Sequence, residues 1–157
     1  MKKRTLLSTA FCMLLGTAFA APMPYDESAD AKADVRAALA SAQAAKKPVL
    51  VIFGANWCED CRALDTSLKT AKNAELMARH FVVVKVDVGR FDRNLDISSV
   101  YGEPTKKGIP AAVVLSPANE ILYATRAGEL SNARRMSDTG VYDFFQSAVA
   151  TASKAKP

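Results

Sequence analysis

Val49-Leu50-Val51-Ile52-Phe53 runs through Gly54-Ala55-Asn56 directly into Trp57-Cys58-Glu59-Asp60-Cys61. A continuous Val/Leu/Ile/Phe run suits a strand buried on both faces of a sheet, and two cysteines three apart at its end form a redox signature. A helix starting there points its unpaired N–H groups at Cys58, and that positive end favours a thiolate. A second apolar strand opens at Gly108-Ile109-Pro110-Ala111-Ala112-Val113-Val114-Leu115. Proline is tolerated at a strand's first residue.

The rest of the chain alternates helix and strand around these two pieces. Asp30 to Ala45 is alanine-rich with Val35 and Leu39 at i and i+4, an amphipathic helix that stops before Pro48. Val49 to Gly54 is a strand, and Cys58 to about Thr70 a helix with Leu64 and Leu68 on one face. A further helical piece from Asn73 turns Leu76 and Met77 inward. Phe81 to Val88 reads as a strand, Leu95 to Val100 as a short helix, and the stretch through Lys106-Lys107 as a loop. Ala111 to Leu115 and Ile121 to Thr125 flank the turn Pro117-Ala118-Asn119-Glu120 and so predict an antiparallel pair. Val141 to Ser153 closes the chain as a helix whose inner face carries Phe144, Phe145, Ala148 and Val149.

The N-terminus has a different character. Lys2-Lys3-Arg4 precedes the largely apolar Thr5 to Leu15, and Ala18-Phe19-Ala20 fits the small-residue cleavage pattern of a secretory signal peptide. The apolar run is shorter than the roughly 20 residues a spanning helix needs. Cleavage is expected after Ala20, which places the mature protein in the periplasm with no membrane span. Cys12 follows Phe11 in the middle of the apolar run, a poor context for lipidation. Without residues 1 to 20 the 157-residue chain keeps two cysteines, and its 18 basic and 16 acidic residues leave a net charge of +2. The basic balance is thus mostly a targeting effect, and no concentrated basic face argues for nucleic acid. The division expected is a signal peptide at 1–20, a leader at 21–29, one domain at 30–153 and a flexible tail at 154–157.

Trp57-Cys58-x-x-Cys61 after one strand and Pro110 at the head of another, in this order, resemble the thioredoxin superfamily over most of the chain after residue 30. The resemblance implies an α/β, thioredoxin-like fold: a central mixed β-sheet with helices on both faces. It implies that Cys58 is the nucleophile, Cys61 the resolving cysteine and Trp57 the ring flanking them. It also implies a cis Ile109–Pro110 bond, beside which a substrate strand pairs with exposed backbone. Gly128, in Ala127-Gly128-Glu129-Leu130-Ser131, matches the family's glycine beside the site and otherwise reads as a turn residue. In this scheme the Cys58 thiolate attacks a partner disulfide, and Cys61 then attacks Cys58 and frees the product. No cofactor beyond the redox-active Cys58–Cys61 disulfide is implied. A metal site is the competing reading of the cysteines, but zinc usually takes four ligands, and His80 is the chain's one histidine.

The chain departs from the family at three places. Glu59 and Asp60 stand where thioredoxins carry Gly-Pro; two acids beside Cys58 oppose its thiolate and make the protein more reducing, or they simply complement the helix dipole. Ile52 occupies the position of a buried aspartate six residues before the first cysteine, so the proton acceptor for Cys61 is left open among water, Glu59 and Asp60. Lys85 matches the family's lysine on the neighbouring strand, or snorkels from a strand end. The stretches before and after Tyr101 are longer than in compact thioredoxins and bring Lys106 and Lys107 near Pro110, either to steer an acidic partner or as solvated charge. Arg134-Arg135 reads as a solvated pair.

The function expected is a periplasmic thiol-disulfide oxidoreductase that reduces protein disulfides, a monomer drawing electrons from a membrane thiol-disulfide transporter. An oxidase or isomerase, or a non-catalytic thioredoxin-fold binding module, are the alternatives. The chain carries neither the inserted helical domain nor the dimerisation domain of the periplasmic oxidase and isomerase families.

Overall fold

The structure, a computed structural model, describes residues 23–155. The expected signal segment and its cleavage point fall outside that range, as does the end of the polar tail.

A four-stranded sheet forms the middle of the molecule. Its strands are β1 (Val49–Gly54), β2 (Val82–Asp87), β3 (Ala111–Leu115) and β4 (Ile121–Ala124), ordered β2-β1-β3-β4. β1 runs parallel to β2 and antiparallel to β3, and β3 pairs antiparallel with β4. Every residue of β1 and β3 is buried, as continuous apolar runs require of central strands. The two-residue period divides β1 between two cores. Val49, Val51 and Phe53 face α1 (Ala31–Ala45), while Leu50 and Ile52 face α2 (Glu59–Leu68), α3 (Ala71–His80) and α5 (Asp138–Lys154). Helices therefore cover both faces, with α4 (Leu95–Val100) on the α1 side.

Side chains fix the helix ends. Asp30 accepts a hydrogen bond from the Ala33 N–H at the start of α1. Ser137 does the same for the Gly140 N–H, so α5 begins three residues before the predicted Val141. Val141, Phe145 and Ala148 are buried on its inner face, and Phe144 and Val149 pack half-buried beside them. The stretch expected as a loop at Lys106-Lys107 closes a 3-10 turn, Pro104–Lys107, and a second such turn spans Ala133–Arg135. Among the described residues no helix is long and apolar enough to cross a membrane.

One sequence expectation fails here. Within residues 23–29, the described part of the segment read as a leader, the chain docks on the domain: Tyr25 is only 4% exposed and joins the core on the α1 side. Asn56 holds its backbone from both sides, accepting from the Tyr25 N–H at 3.0 Å and donating to the Tyr25 carbonyl at 2.8 Å. Asn56 also donates to the Glu27 carboxylate at 3.0 Å, and Arg93 to the Glu27 carbonyl at 2.9 Å. Periodicity cannot reveal a single anchored residue in a stretch without regular structure.

Candidate active site

Cys58 and Cys61 form a disulfide with their Cα atoms 5.2 Å apart. Cys58 is the N-cap of α2, where its extended backbone ends β1's exit turn and its sulfur accepts from the Cys61 N–H at 3.1 Å. The helix thus aims its unpaired N–H groups at this sulfur. Neither cysteine is widely open, but Cys58 retains 6% exposure against 1% for Cys61. Cys58 Sγ lies 3.7 Å from the Ile109 carbonyl oxygen. A disulfide sulfur carries no hydrogen, so this is a packing contact, and it sets the start of β3 against the sulfur. The Ile109–Pro110 bond is cis.

Trp57 is 47% exposed yet held in place. Its indole N–H donates to the Gly89 carbonyl at 2.7 Å, its ring meets Phe91 edge-on at 6.3 Å, and the Arg90 guanidinium sits over it at 5.9 Å. Phe91 is itself exposed and sits at φ 63°, a left-handed conformation that bulky residues rarely adopt. The sequence reading missed this aromatic neighbour, because nothing in the chain predicts how the segment after β2 folds back.

Glu59 and Asp60 both face Arg134. The Arg134 guanidinium lies 2.9 Å from Glu59 Oε2 and 3.8 Å from Asp60 Oδ2, and the Arg134 backbone N–H donates to Asp60 Oδ1 at 2.9 Å. Arg134 is exposed, as its sequence leads one to expect, but it is not an isolated surface charge. It pins the second 3-10 turn to the first turn of α2 and partly balances the two acids beside Cys58.

Lys85 forms an ion pair with Asp65. Ile52 and Lys85 are register partners across β1 and β2, so the lysine projects on the α2 face, where Asp65 sits one helical turn after Cys61. Lys69 also reaches Asp65, at 2.7 Å. Burial pushes the Asp65 carboxyl up, but the bonds from Lys69 and Lys85 outweigh it and hold the group below the usual carboxylate range. The buried acid absent at Ile52 thus has a counterpart supplied by α2. A signal for it exists in the sequence: Cys61, Leu64, Asp65 and Leu68 share one helical face, and Asp65 interrupts its apolar stripe. Asp87, at the end of β2, is buried with Oδ1 unpartnered, and burial raises its carboxyl above the usual range.

Gly128 has φ 76°, and a Cβ there would stand 2.7 Å from the Lys107 carbonyl oxygen. The glycine lets the segment after β4 lie against the loop that leads through Gly108 into Pro110. Lys106 in that loop pairs with Glu103.

Gly54 makes a similar allowance behind the disulfide. A Cβ at Gly54 would collide with the Tyr25 hydroxyl and stand 3.0 Å from Cys61 Sγ. Hydroxyl and sulfur therefore border one gap smaller than a methyl group. A glycine inside an apolar strand signals such a close approach, though not which residue makes it. Among the described residues no group of three or more His, Cys, Asp or Glu side chains is placed to hold a metal ion.

Comparison with known proteins agrees with this geometry. A family model described as thioredoxin-like matches residues 30–117. The crystal structure of a disulphide isomerase from Xylella fastidiosa Temecula1 aligns with a TM-score of 0.80 and 56% identity, covering 82% of this chain and 98% of that one. The solution structure of a thioredoxin from Thermus thermophilus aligns with a TM-score of 0.54 and 23% identity, over 76% of this chain and 85% of that one. The structure of a DsbH oxidoreductase aligns with a TM-score of 0.54 and 17% identity, over 72% of this chain and 79% of that one; these two likenesses concern the fold alone. No curated protein matches. A family match over more than half of the chain, joined to a disulfide at the mouth of a helix, means that the protein belongs to the thioredoxin-like family and is a thioredoxin-fold disulfide oxidoreductase.

Proposed function

We propose that the protein is a monomeric periplasmic thiol-disulfide oxidoreductase that reduces disulfides in other proteins, with the Cys58–Cys61 pair as its only redox group. The observation that carries this reading is the unequal placement of the two sulfurs: Cys58 at the helix N-terminus with residual access, Cys61 sealed behind it. The Cys58 thiolate attacks one sulfur of a partner disulfide, breaking that bond and expelling the other sulfur as a thiolate; Cys61 then attacks Cys58 and releases the remaining partner sulfur as a second thiolate. Trp57, Ile109, Pro110 and Gly128 form the wall beside which the partner's chain lies. Glu59 and Asp60 favour the thiol form of Cys58 and hence the reducing direction, with Arg134 limiting their effect. Lys85 tunes the site through Asp65. Electrons come from a membrane thiol-disulfide transporter, because the periplasm supplies no reductant of its own.

Isomerisation is the second reading, favoured by the 56% identical Xylella fastidiosa protein that is described as a disulphide isomerase. Isomerisation needs only the Cys58 thiolate, since a second substrate thiol resolves the mixed disulfide.

Redox titration against glutathione and dithiothreitol, with insulin reduction and reactivation of scrambled ribonuclease alongside, tests both. A reductase has a potential below about −200 mV and reduces insulin. A potential near about −120 mV, the range of a strong oxidant, overturns the reducing assignment. Ribonuclease reactivation that persists in Cys61→Ser identifies an isomerase.

A further inference from the structure

We propose that the Tyr25 hydroxyl is the hydrogen-bond donor to the Cys61 thiolate that forms when the Cys58–Cys61 disulfide opens. The inference rests on the assignment of Cys61 as the resolving thiol, and it answers what stabilises the inner sulfur in a chain with an aliphatic residue at position 52.

Three observations carry it. First, Tyr25 is one of the most buried aromatic residues, although it stands in a segment with no helix or strand. Three hydrogen bonds with Asn56 fasten that segment to the active-site turn, and a fourth, from Arg93, ties it to the stretch after β2. Second, β1 gives up a side chain at Gly54, where any Cβ would displace the Tyr25 hydroxyl. Glycine weakens a strand interior and marks the close approach of another group, and here that group is a phenol whose hydroxyl occupies the place of the missing Cβ. Third, the same missing Cβ would stand 3.0 Å from Cys61 Sγ, so the hydroxyl and the sulfur are the two walls of one space.

Chemistry then decides which way the hydrogen bond runs. Burial raises the Tyr25 hydroxyl, and the carboxylates of Asp65 and Asp87 raise it further. The phenol keeps its proton and donates. It is not the base that deprotonates Cys61. A disulfide sulfur is a weak acceptor, whereas a thiolate is a strong one, so the bond gains strength only on opening. In that step a thiolate reductant attacks Cys58 Sγ, a new S–S bond forms there, the Cys58–Cys61 bond breaks, and its electron pair leaves on Cys61. No proton moves. The donor therefore stabilises Cys61 as a leaving group in reduction and as an attacking thiolate in resolution. The other charges facing this space are Asp65, itself paired with Lys85 and Lys69, and Asp87 with Arg93 3.6 Å away.

The test reads the Cys61 thiol in a Cys58→Ser background, by ultraviolet absorbance of the thiolate against pH, with and without Tyr25→Phe. Loss of the donor is expected to raise the Cys61 pKa by about one unit, a tenfold change. In the two-cysteine protein, Tyr25→Phe is expected to slow opening of the disulfide by dithiothreitol at least about threefold, because a more basic thiolate leaves more slowly. A merely structural tyrosine would lower the unfolding midpoint without moving the Cys61 pKa. An unchanged pKa in folded Tyr25→Phe overturns the proposal. If that variant does not fold, 3-fluorotyrosine at position 25 keeps the shape with a more acidic hydroxyl. It is expected to lower the Cys61 pKa, and no shift overturns the proposal equally. Alkylation of the wild type distinguishes the underlying reading: if Cys61 reacts before Cys58, the roles of the cysteines fall, while the pKa comparison still reports on the hydrogen bond.

Discussion

Arg134 donates its backbone N–H to the Asp60 carboxylate, 2.9 Å away, across 74 residues of sequence. Its guanidinium reaches Glu59 as well, so the charge beside Cys58 is a balance of two acids and one base. Arg134→Ala leaves the acids uncompensated, disfavours the Cys58 thiolate and lowers the redox potential. Exposed charge pairs contribute roughly 0.2 to 1 kcal/mol, which for a two-electron couple corresponds to a fall of about 5 to 20 mV. Glu59→Gln with Asp60→Asn acts oppositely, raising the potential by about 10 to 40 mV. Equilibration with glutathione measures both, and potentials unmoved in either variant would leave the acids with only a helix-capping role.

The cysteines differ in what their loss does. Cys58→Ala is expected to abolish disulfide reduction, while Cys61→Ser retains a nucleophile and accumulates partners as mixed disulfides. Non-reducing electrophoresis of extracts from cells carrying each variant reads this directly. Adducts trapped by Cys58→Ala instead would reverse the roles.

Asp65 is expected to stabilise the protein at neutral pH and not in strong acid. Its folded-state carboxyl lies below the usual range because Lys69 and Lys85 hold the ionised form against the effect of burial. That contribution is present above the unfolded value of about 4 and disappears as pH falls through the depressed native value. Asp65→Asn also leaves Lys85 without its carboxylate, at a cost of roughly 1 to 3 kcal/mol at pH 7. Urea midpoints of the two proteins should differ at pH 7 and converge near pH 2. A gap that stays constant with pH would mean packing, not charge, accounts for the loss.

Gly128→Ala is expected to destabilise the fold by roughly 1 to 3 kcal/mol, since alanine meets both a φ of 76° and the Lys107 carbonyl oxygen. The displaced loop leads through Gly108 to Pro110, so exchange with a peptide disulfide should slow more than exchange with dithiothreitol. Equal slowing for both would place Gly128 outside the partner's path.

Much of this arrangement is legible in the chain because it is local or periodic. The continuous apolar run fixes β1 as a central strand, and the cysteines that follow it must sit where α2 begins. Ala111 to Leu115 is legible for the same reason. What escapes is contact between distant segments. The pairing of exposed Arg134 is hidden because its partners are on another element, and Tyr25 looks like part of a leader because nothing near it in sequence is regular. Asp65 lies between these cases: its place on an apolar helix face announces an unusual acid, but only the fold supplies Lys85.

The docking of Tyr25 also has a consequence for the order in which the molecule is assembled. A chain emerges N-terminus first during synthesis, so Tyr25 appears long before Asn56, the residue 31 positions later that grips its backbone. It has nowhere to settle until β1 has been made and α2 has brought Cys61 behind Gly54. The wall over the inner sulfur is therefore hung after the frame that receives it. During that interval the tyrosine covers neither sulfur, and a segment made before the cysteines is the one that closes the site over Cys61.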